Sequence, residues 1–377
     1  MTNDVLIVGA GQAGLASARA VARAGLHPVV LEASERVGGS WSSYYDSLTL
    51  FSPARFSELP GFRFGGDPDH YPHRDEVIAY LRAFADTLDA QVHTNTRVDH
   101  LKATGAPGGR SRFVAHTATG HTFEGVGLVA ATGGFSRPYT PEVPGLGSFT
   151  GTAIHASDYQ TPEPFAGQRV VVIGAGNSAV QVAVELAESA EVTLATREPL
   201  KFANPILLGR DLHWWMVTSG LDSLPIGRWL PRLPKQPVVD KDGNYSAAIA
   251  AGRPSRRPMF TAVEDDHLTW ADGSTERVDA LIFATGYRPA LDFLAATGAL
   301  DPEGAPRHRS GLSTTVPGLG YVGMEWQRSF SSATLRGVAR DAAYVVRRLH
   351  STWQANAPAI STPRAVRPAS RDQPRTG

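Results

Sequence analysis

One local grammar occurs twice in this chain and restricts its fold more than any other feature: apolar strand, glycine turn, amphipathic helix, second strand, terminal charged residue. The first copy opens with Val5-Leu-Ile-Val8, a run typical of parallel strands covered on both faces, and continues as Gly9-Ala-Gly11-Gln12-Ala13-Gly14. Leu15, Ala18, Val21 and Ala22 then recur at helical spacing, and Pro28-Val-Val-Leu31 ends at Glu32. Gly9 permits the tight turn, Gly11 lets the backbone approach a pyrophosphate, and Gly14 allows close helix–strand packing, while the helix N-terminus offers amides to the anion. A carboxylate at position 32 suits the hydroxyls of an unphosphorylated ribose and repels a 2′-phosphate.

The second copy runs Arg169-Val-Val-Val-Ile173, Gly174-Ala-Gly176-Asn177-Ser178-Ala179, a helix through Val184 and Leu186, and Val192-Thr-Leu-Ala195. Its acid has been replaced. Arg197 stands as far beyond Gly176 as Glu32 stands beyond Gly11, and a guanidinium recognises a 2′-phosphate. The contrast predicts FAD in the first unit and NADPH in the second, with Ala179 an allowed small third member of the second turn.

Composition limits what else the chain can be. Its 377 residues suffice for two or three domains. It contains no Cys, which removes disulfides, thiolate metal sites, cysteine nucleophiles and dithiol redox pairs, so redox chemistry must come from a cofactor. Lys and Arg number 36 and so do Asp and Glu, which leaves no footprint for nucleic acid or an anionic membrane. The start has no basic n-region, and its apolar run is broken by Gly9, Gln12 and Arg19, which predicts a cytoplasmic protein. Residues 351–377, with four Pro and four Arg among few apolar residues, predict a disordered tail. His70 and His73 flank Pro72 and no carboxylate–histidine set has ligand spacing, so no metal is expected; no nucleophile elbow is present either.

Between the two units Phe149, Gly151, His155 and Tyr159 read FxGxxxHxxxY. This resembles the fingerprint of single-component flavin-dependent monooxygenases, in particular the flavin-containing, N- and S-oxygenating type. The order of landmarks is similar too: the Gly9 turn, Gly38-Gly39-Ser40-Trp41, Ala131-Thr132-Gly133, the Phe149 motif, the Gly174 turn and Ala284-Thr285-Gly286-Tyr287, spread over about Asp4 to Leu349. The resemblance implies an α/β fold with two Rossmann-like dinucleotide-binding domains. FAD would occupy 1–155 together with 288–350, and an NADPH domain would be inserted at 156–287. It also implies that Thr132-Gly133 and Thr285-Gly286 mark crossings between domains and that Trp41 lies near the flavin. Gln12, Ala13, Gly39, Ser40, Val98, Asn177, Ser178, Tyr287 and Gln327 would complete the cofactor contacts.

The chemistry so implied is mostly the cofactors': hydride from NADPH to flavin N5, O2 addition at C4a, and transfer of one oxygen from the hydroperoxide to a small organic substrate. Soft nitrogen or sulfur, electron-rich carbon, or decarboxylative oxygenation of a small acid is expected ahead of ester formation. Two alternatives stay open. One is a Baeyer–Villiger monooxygenase, whose fingerprint ends in Trp followed by Pro or Asp where this chain has Tyr159-Gln160; the other is an NADPH-dependent flavin reductase without oxygen insertion. Animal and yeast members carry an Asn near the flavin, but none stands here between Asn3 and Asn95. The stretches Leu48–Arg55, Phe56–Pro60 and Tyr71–Asp75 resemble the shorter bacterial and plant members. Segment 200–260, with Trp214, Trp215 and Trp229, carries no motif and reads as an irregular insertion that packs, ahead of a substrate passage.

Overall fold

The computed structural model describes residues 4–104, 112–227, 229 and 237–356. Each glycine-turn unit seeds one parallel sheet. In the first, Asp4–Val8 pairs in parallel with His27–Leu31 on one side and Gly127–Ala130 on the other. Parallel neighbours need a crossover, and helix α1 (Gln12–Arg23) supplies the first. Helix α2 (Arg74–Ala85) leads into the edge strand Gln91–His93. The other side of the sheet is completed by Leu319–Tyr321, parallel to Gly127–Ala130, and by Leu312–Ser313 and His308–Arg309 beyond it. The chain therefore leaves this sheet and returns to it near its end.

Alternate residues of the opening run serve opposite faces. Val5 and Ile7 join a core with Leu15, Val21, Val77 and Phe84, whereas Leu6 and Val8 pack with Leu101, Phe113 and Tyr321. A three-stranded meander (Val98–Thr104, Arg112–Thr117, Thr122–Gly125) supplies part of that second layer.

The second sheet is parallel throughout, ordered Ser255–Pro258, Glu191–Thr196, Arg169–Ile173, Ala280–Phe283, Thr152–His155, with α3 (Asn177–Leu186) as its first crossover. One expectation is corrected here. Thr152–His155, assigned by sequence to the first domain, pairs with Ala280–Phe283 and is the edge of the second sheet. Between the units, Arg137–Pro138 and Tyr287–Arg288 run antiparallel to one another, so the outgoing and returning crossings form one two-stranded joint.

Segment 200–260 contains α4 (Leu212–Thr218) and α5 (Asn244–Ala250) and reaches back to the first unit. The Tyr71 hydroxyl donates to Asp211 Oδ2 (2.5 Å), and the Gly227 amide donates to the Arg328 carbonyl (2.7 Å). The buried Asp222 carboxylate accepts from Arg336 Nε (3.1 Å) and Nη2 (2.9 Å). The insertion thus packs across both units, while Leu207, Leu208 and Leu221 remain exposed on its outside.

The expected tail is also corrected. Helix α6 (Leu335–Asn356) continues its apolar stripe from Ala342 through Val345 and Leu349 to Trp353, which is fully buried. Residues 351–356 are helical, and 357–377 lie outside the described residues. Trp353 Nε1 donates to the Gly318 carbonyl (2.8 Å), and its indole fills the space a Cβ at Gly127 would need, 2.2 Å from Nε1.

Candidate functional site

The two glycine turns are built differently. At Gly9 φ is +104°, the amide donates to the Leu31 carbonyl (2.8 Å), and a Cβ would lie 2.8 Å from the Ala131 carbonyl oxygen. A Cβ at Gly14 would sit 1.8 Å from the Gly9 carbonyl oxygen, so α1 touches the turn itself. In the second turn a Cβ at Gly174 would lie 3.0 Å from the Ala179 Cβ, which shows where the third position found room for a methyl group. Nothing stands within 4 Å of a Cβ at Gly176, so the start of α3 faces open space. Gly11 and Gly176 begin their helices with no side-chain cap and no acidic residue in the first turn. Both leave amides free for an anion.

Both helix starts open into one cleft of about 1210 Å3, larger than a typical single small-molecule site. From the first unit it is lined by Gly9, Gly11, Gln12, Ala13 and Glu32, then by Gly39, Ser40, Trp41 and Val98. Thr132 and Gly133 line it at the crossing, and His155, Gly176, Asn177, Ser178, Ala179, Gly286 and Tyr287 from the other side. Gly14 and Gly174 do not line it. The structure brings together most of the residues read from sequence.

Several side chains are held by neighbours. Glu32 is buried, with Oε2 accepting from the Ala10 amide (2.5 Å) and Oε1 from the Ser34 amide (2.9 Å) and hydroxyl (2.7 Å), which fixes the carboxylate at the strand end. Gln12 donates to the Ala333 carbonyl (2.5 Å) and accepts from the Trp41 indole N–H (3.1 Å), tying the glycine turn to the segment before α6. Trp41 meets Tyr44 edge to face at 5.6 Å, Tyr44 meets Tyr287 at 6.3 Å, and Tyr287 meets His155 at 4.9 Å. These rings run from one unit to the other. Thr132 Oγ1 is buried at the cleft and has no hydrogen-bond partner among the described residues. A buried hydroxyl left this way is costly, and a ligand edge in the cleft offers the missing partner.

The FxGxxxHxxxY residues hold structure. A Cβ at Gly151 would lie 2.4 Å from the Asp279 carbonyl oxygen and 2.6 Å from the Phe149 ring. His155 Nδ1 accepts from the Ser157 amide (3.0 Å), so the ring proton is on Nε2, which donates to the Gly286 carbonyl (3.0 Å) at the crossing. Burial lowers the His155 pKa below its ordinary value of 6.5. Its contribution to stability is therefore complete above that value and is lost as pH falls through the lowered one. His155→Gln is expected to lower stability by about 1 to 2 kcal/mol near neutral pH, with the two melting curves converging in acid. A difference that persists unchanged in acid would contradict the neutral ring.

Tyr159 is fully buried, donates to Glu185 Oε2 (2.7 Å), packs against Tyr45 and Phe165, and does not line the cleft. Tyr159→Phe is expected to cost about 1.5 to 3 kcal/mol of stability and to leave turnover of folded protein unchanged, measured by denaturant melts beside steady-state rates.

Three other residues read as cofactor contacts lie outside the cleft lining. Thr285 donates its hydroxyl to the Tyr139 carbonyl (2.5 Å), within the joint. Gln327 is buried and donates to the Tyr321 carbonyl (2.8 Å), bracing the turn it belongs to. Arg197 is exposed at the C-terminal end of Glu191–Thr196, and Arg256 on the neighbouring strand donates from Nε to Thr196 Oγ1 (2.9 Å) beside it. Sequence reading missed the apolar wall of Leu50, Phe51, Phe56, Trp326 and Phe330, and the buried Arg336 at the start of α6. Nothing local in the sequence marks Arg336, because its partner Asp222 is remote in the chain. Among the described residues no three His, Asp or Glu side chains are grouped to hold a metal ion.

The family profile described as pyridine nucleotide-disulphide oxidoreductase matches residues 6–206, more than half of the chain. The chain belongs to this family. Its lack of cysteine separates it from the thiol chemistry in that description. This oxidoreductase is 33% identical over 346 residues to an uncharacterized CzcO-like oxidoreductase of Geobacillus kaustophilus, covering 91% of this chain and 97% of the relative. It shares 33% identity and a TM-score of 0.78 with the flavin-containing monooxygenase from Stenotrophomonas maltophilia, over 92% of this chain and 98% of that one. It is 28% identical to an indole-3-pyruvate monooxygenase of rice, YUCCA1, over 93% of this chain and 92% of the relative. It is an enzyme of the flavoprotein monooxygenase and oxidoreductase group, whose members use FAD and NADPH. No helix among its described residues is long and apolar enough to cross a membrane.

Proposed function

We propose that this chain is an FAD- and NADPH-dependent monooxygenase that places one oxygen atom of O2 into a small organic substrate. The observation that carries the reading is the single cleft shared by both uncapped glycine turns, with the orphaned Thr132 hydroxyl in its wall. In this reading Gly11, Ala13 and Gly39 cradle the FAD pyrophosphate and Glu32 accepts from its ribose, while Gly176, Asn177 and Ser178 meet the pyrophosphate of NADPH. Trp41, Tyr44 and Tyr287 hold the reactive edges together and keep water out. The first unit, with its return through α6, is the FAD domain, and the second is the NADPH domain. Bound FAD and NADPH supply hydride transfer and oxygen activation.

The apolar wall of Leu50, Phe51, Phe56, Trp326 and Phe330 favours a substrate with an apolar or aromatic body. The name of the rice relative supports small aromatic 2-oxo acids as a class to test, beside the soft nitrogen and sulfur centres that the sequence resemblance implies. Purified protein is expected to be yellow, to bleach with NADPH under anaerobic conditions, and on admission of O2 to release one oxygenated product per NADPH from a panel of such compounds. Stoichiometric hydrogen peroxide with every compound would replace this reading with a flavin reductase. Products from cyclic ketones alone would replace it with Baeyer–Villiger chemistry.

A further inference from the structure

A second hollow of about 530 Å3 lies away from the cleft, where α1, α2 and α6 meet. Its floor is apolar, formed by Ala16, Ala20, Leu59, Phe84, Ala343 and Val346. Its rim is cationic: Arg19, Arg23, Arg340 and Arg347 line it, with His350, and no Asp or Glu does.

Part of this charge is already engaged. Arg19 donates to the Pro60 carbonyl (2.5 Å) and lies over the Phe84 ring, and His350 is within 3.1 Å of the Ala24 carbonyl. Burial and the nearby Arg23 hold the Arg19 guanidinium below its ordinary value, a sign that these cations crowd one another. Arg23 and Arg347 are exposed and have no ion pair among the described residues. Two unspent guanidinium groups thus flank an apolar trough of small-molecule size. The sequence after Asn356 carries Arg364, Arg367, Arg371 and Arg375 against Asp372, the same sign as the rim, so it does not complement the hollow.

We propose that this hollow binds an amphiphilic anion: an aliphatic chain on the alanine-rich floor and a carboxylate or phosphate head paired with Arg23 and Arg347. Charge complementarity selects the head, and the apolar floor selects the chain. The site also has a physical route to the cleft. Arg340 Nη1 lies 3.7 Å from Asp222 Oδ2, an oxygen with no hydrogen bond among the described residues, and Asp222 Oδ1 accepts both bonds from Arg336 in the cleft wall. An anion that draws Arg340 toward the rim removes a cation from the carboxylate that positions Arg336.

Titration calorimetry on the flavin-loaded protein tests this with decanoate, decyl phosphate, inorganic phosphate and decyltrimethylammonium, each below its micelle concentration. The two amphiphilic anions are expected to bind one per chain. The double variant Arg23→Glu/Arg347→Glu is expected to weaken them at least about tenfold without loss of flavin, and Ala343→Phe, which fills the exposed floor, to block them. Inorganic phosphate and the cationic amphiphile are expected not to compete. Binding that the double variant leaves unchanged, inorganic phosphate binding as tightly as decyl phosphate, or retention only on anionic phospholipid vesicles would each overturn the proposal. Failure of the anions to bind at all would do the same, whatever the enzyme's oxygenation chemistry.

Discussion

Gly14→Ala is expected to yield no soluble folded protein, although it adds a single methyl group. That methyl carbon would stand 1.8 Å from the Gly9 carbonyl oxygen, and both partners are backbone, so no rotamer change relieves the clash. Separating them means lifting α1 from the sheet whose core it completes through Leu15 and Val21. Such a shift costs upward of about 4 kcal/mol, a large share of the roughly 5 to 15 kcal/mol that stabilises a domain. Gly11→Asp is the informative contrast. A Cβ there meets the Gly39 Cα at an ordinary 3.5 Å, so the chain folds, and a carboxylate at the uncapped start of α1 favours that helix. The same carboxylate occupies the place proposed for pyrophosphate. The Gly11→Asp protein should be soluble and colourless, with a melting temperature at or above that of flavin-stripped wild type. A yellow Gly11→Asp protein would remove the first turn from the FAD site, and a folded Gly14→Ala protein would show that α1 has freedom the packing denies.

Arg197→Ala is expected to weaken NADPH by roughly 10- to 150-fold and to change NADH little, from the loss of about 1.5 to 3 kcal/mol in charge-assisted hydrogen bonding to the 2′-phosphate. Arg197 ends the second strand of its unit where Glu32 ends the second strand of the first, and the two sheets share that topology. Its guanidinium is exposed, so a nucleotide can reach it. Arg256, bonded to Thr196 one residue away, and Lys201 are cations that soften the loss, while Glu198 opposes the phosphate. The measurement is kcat/KM for flavin reduction with both nucleotides, in wild type and variant. A ratio unmoved by the substitution would take Arg197 out of the site.

The parts of the molecule legible in sequence are those governed by short-range geometry. Both strand–turn–helix units could be read because the backbone contacts at Gly9, Gly14 and Gly174 leave no space for a side chain, and that exclusion falls at fixed spacing. The cleft residues of these turns followed directly. His155 and Tyr159 also carried a recognisable pattern, but the pattern records a bond to the Gly286 carbonyl and a buried bond to Glu185, so their spacing could not tell bracing from catalysis. The limits of elements were harder. Thr152–His155 is short, and its sheet is decided by Ala280–Phe283, more than a hundred residues away. The end of α6 was hidden because a polar, proline-bearing composition begins around Ser351 while Trp353 still continues the apolar stripe. Segment 200–260 stayed unread because Tyr71, Arg328 and Arg336, which anchor it, lie in other parts of the chain.

The return of the chain to its first sheet sets an order of assembly. All five strands of the second sheet lie on the continuous stretch from Thr152 to Phe283, so that unit has its whole sheet once this stretch has left the ribosome. The first sheet begins before it with Asp4–Val8, yet lacks Leu319–Tyr321 and the cover of α6 until the whole second sheet has been made, and Trp353 seals Gly127 later still. The half that emerges first therefore matures second. Until then its strand Gly127–Ala130 has an open edge, and an unpaired edge of a growing chain is where wrong strand pairing begins.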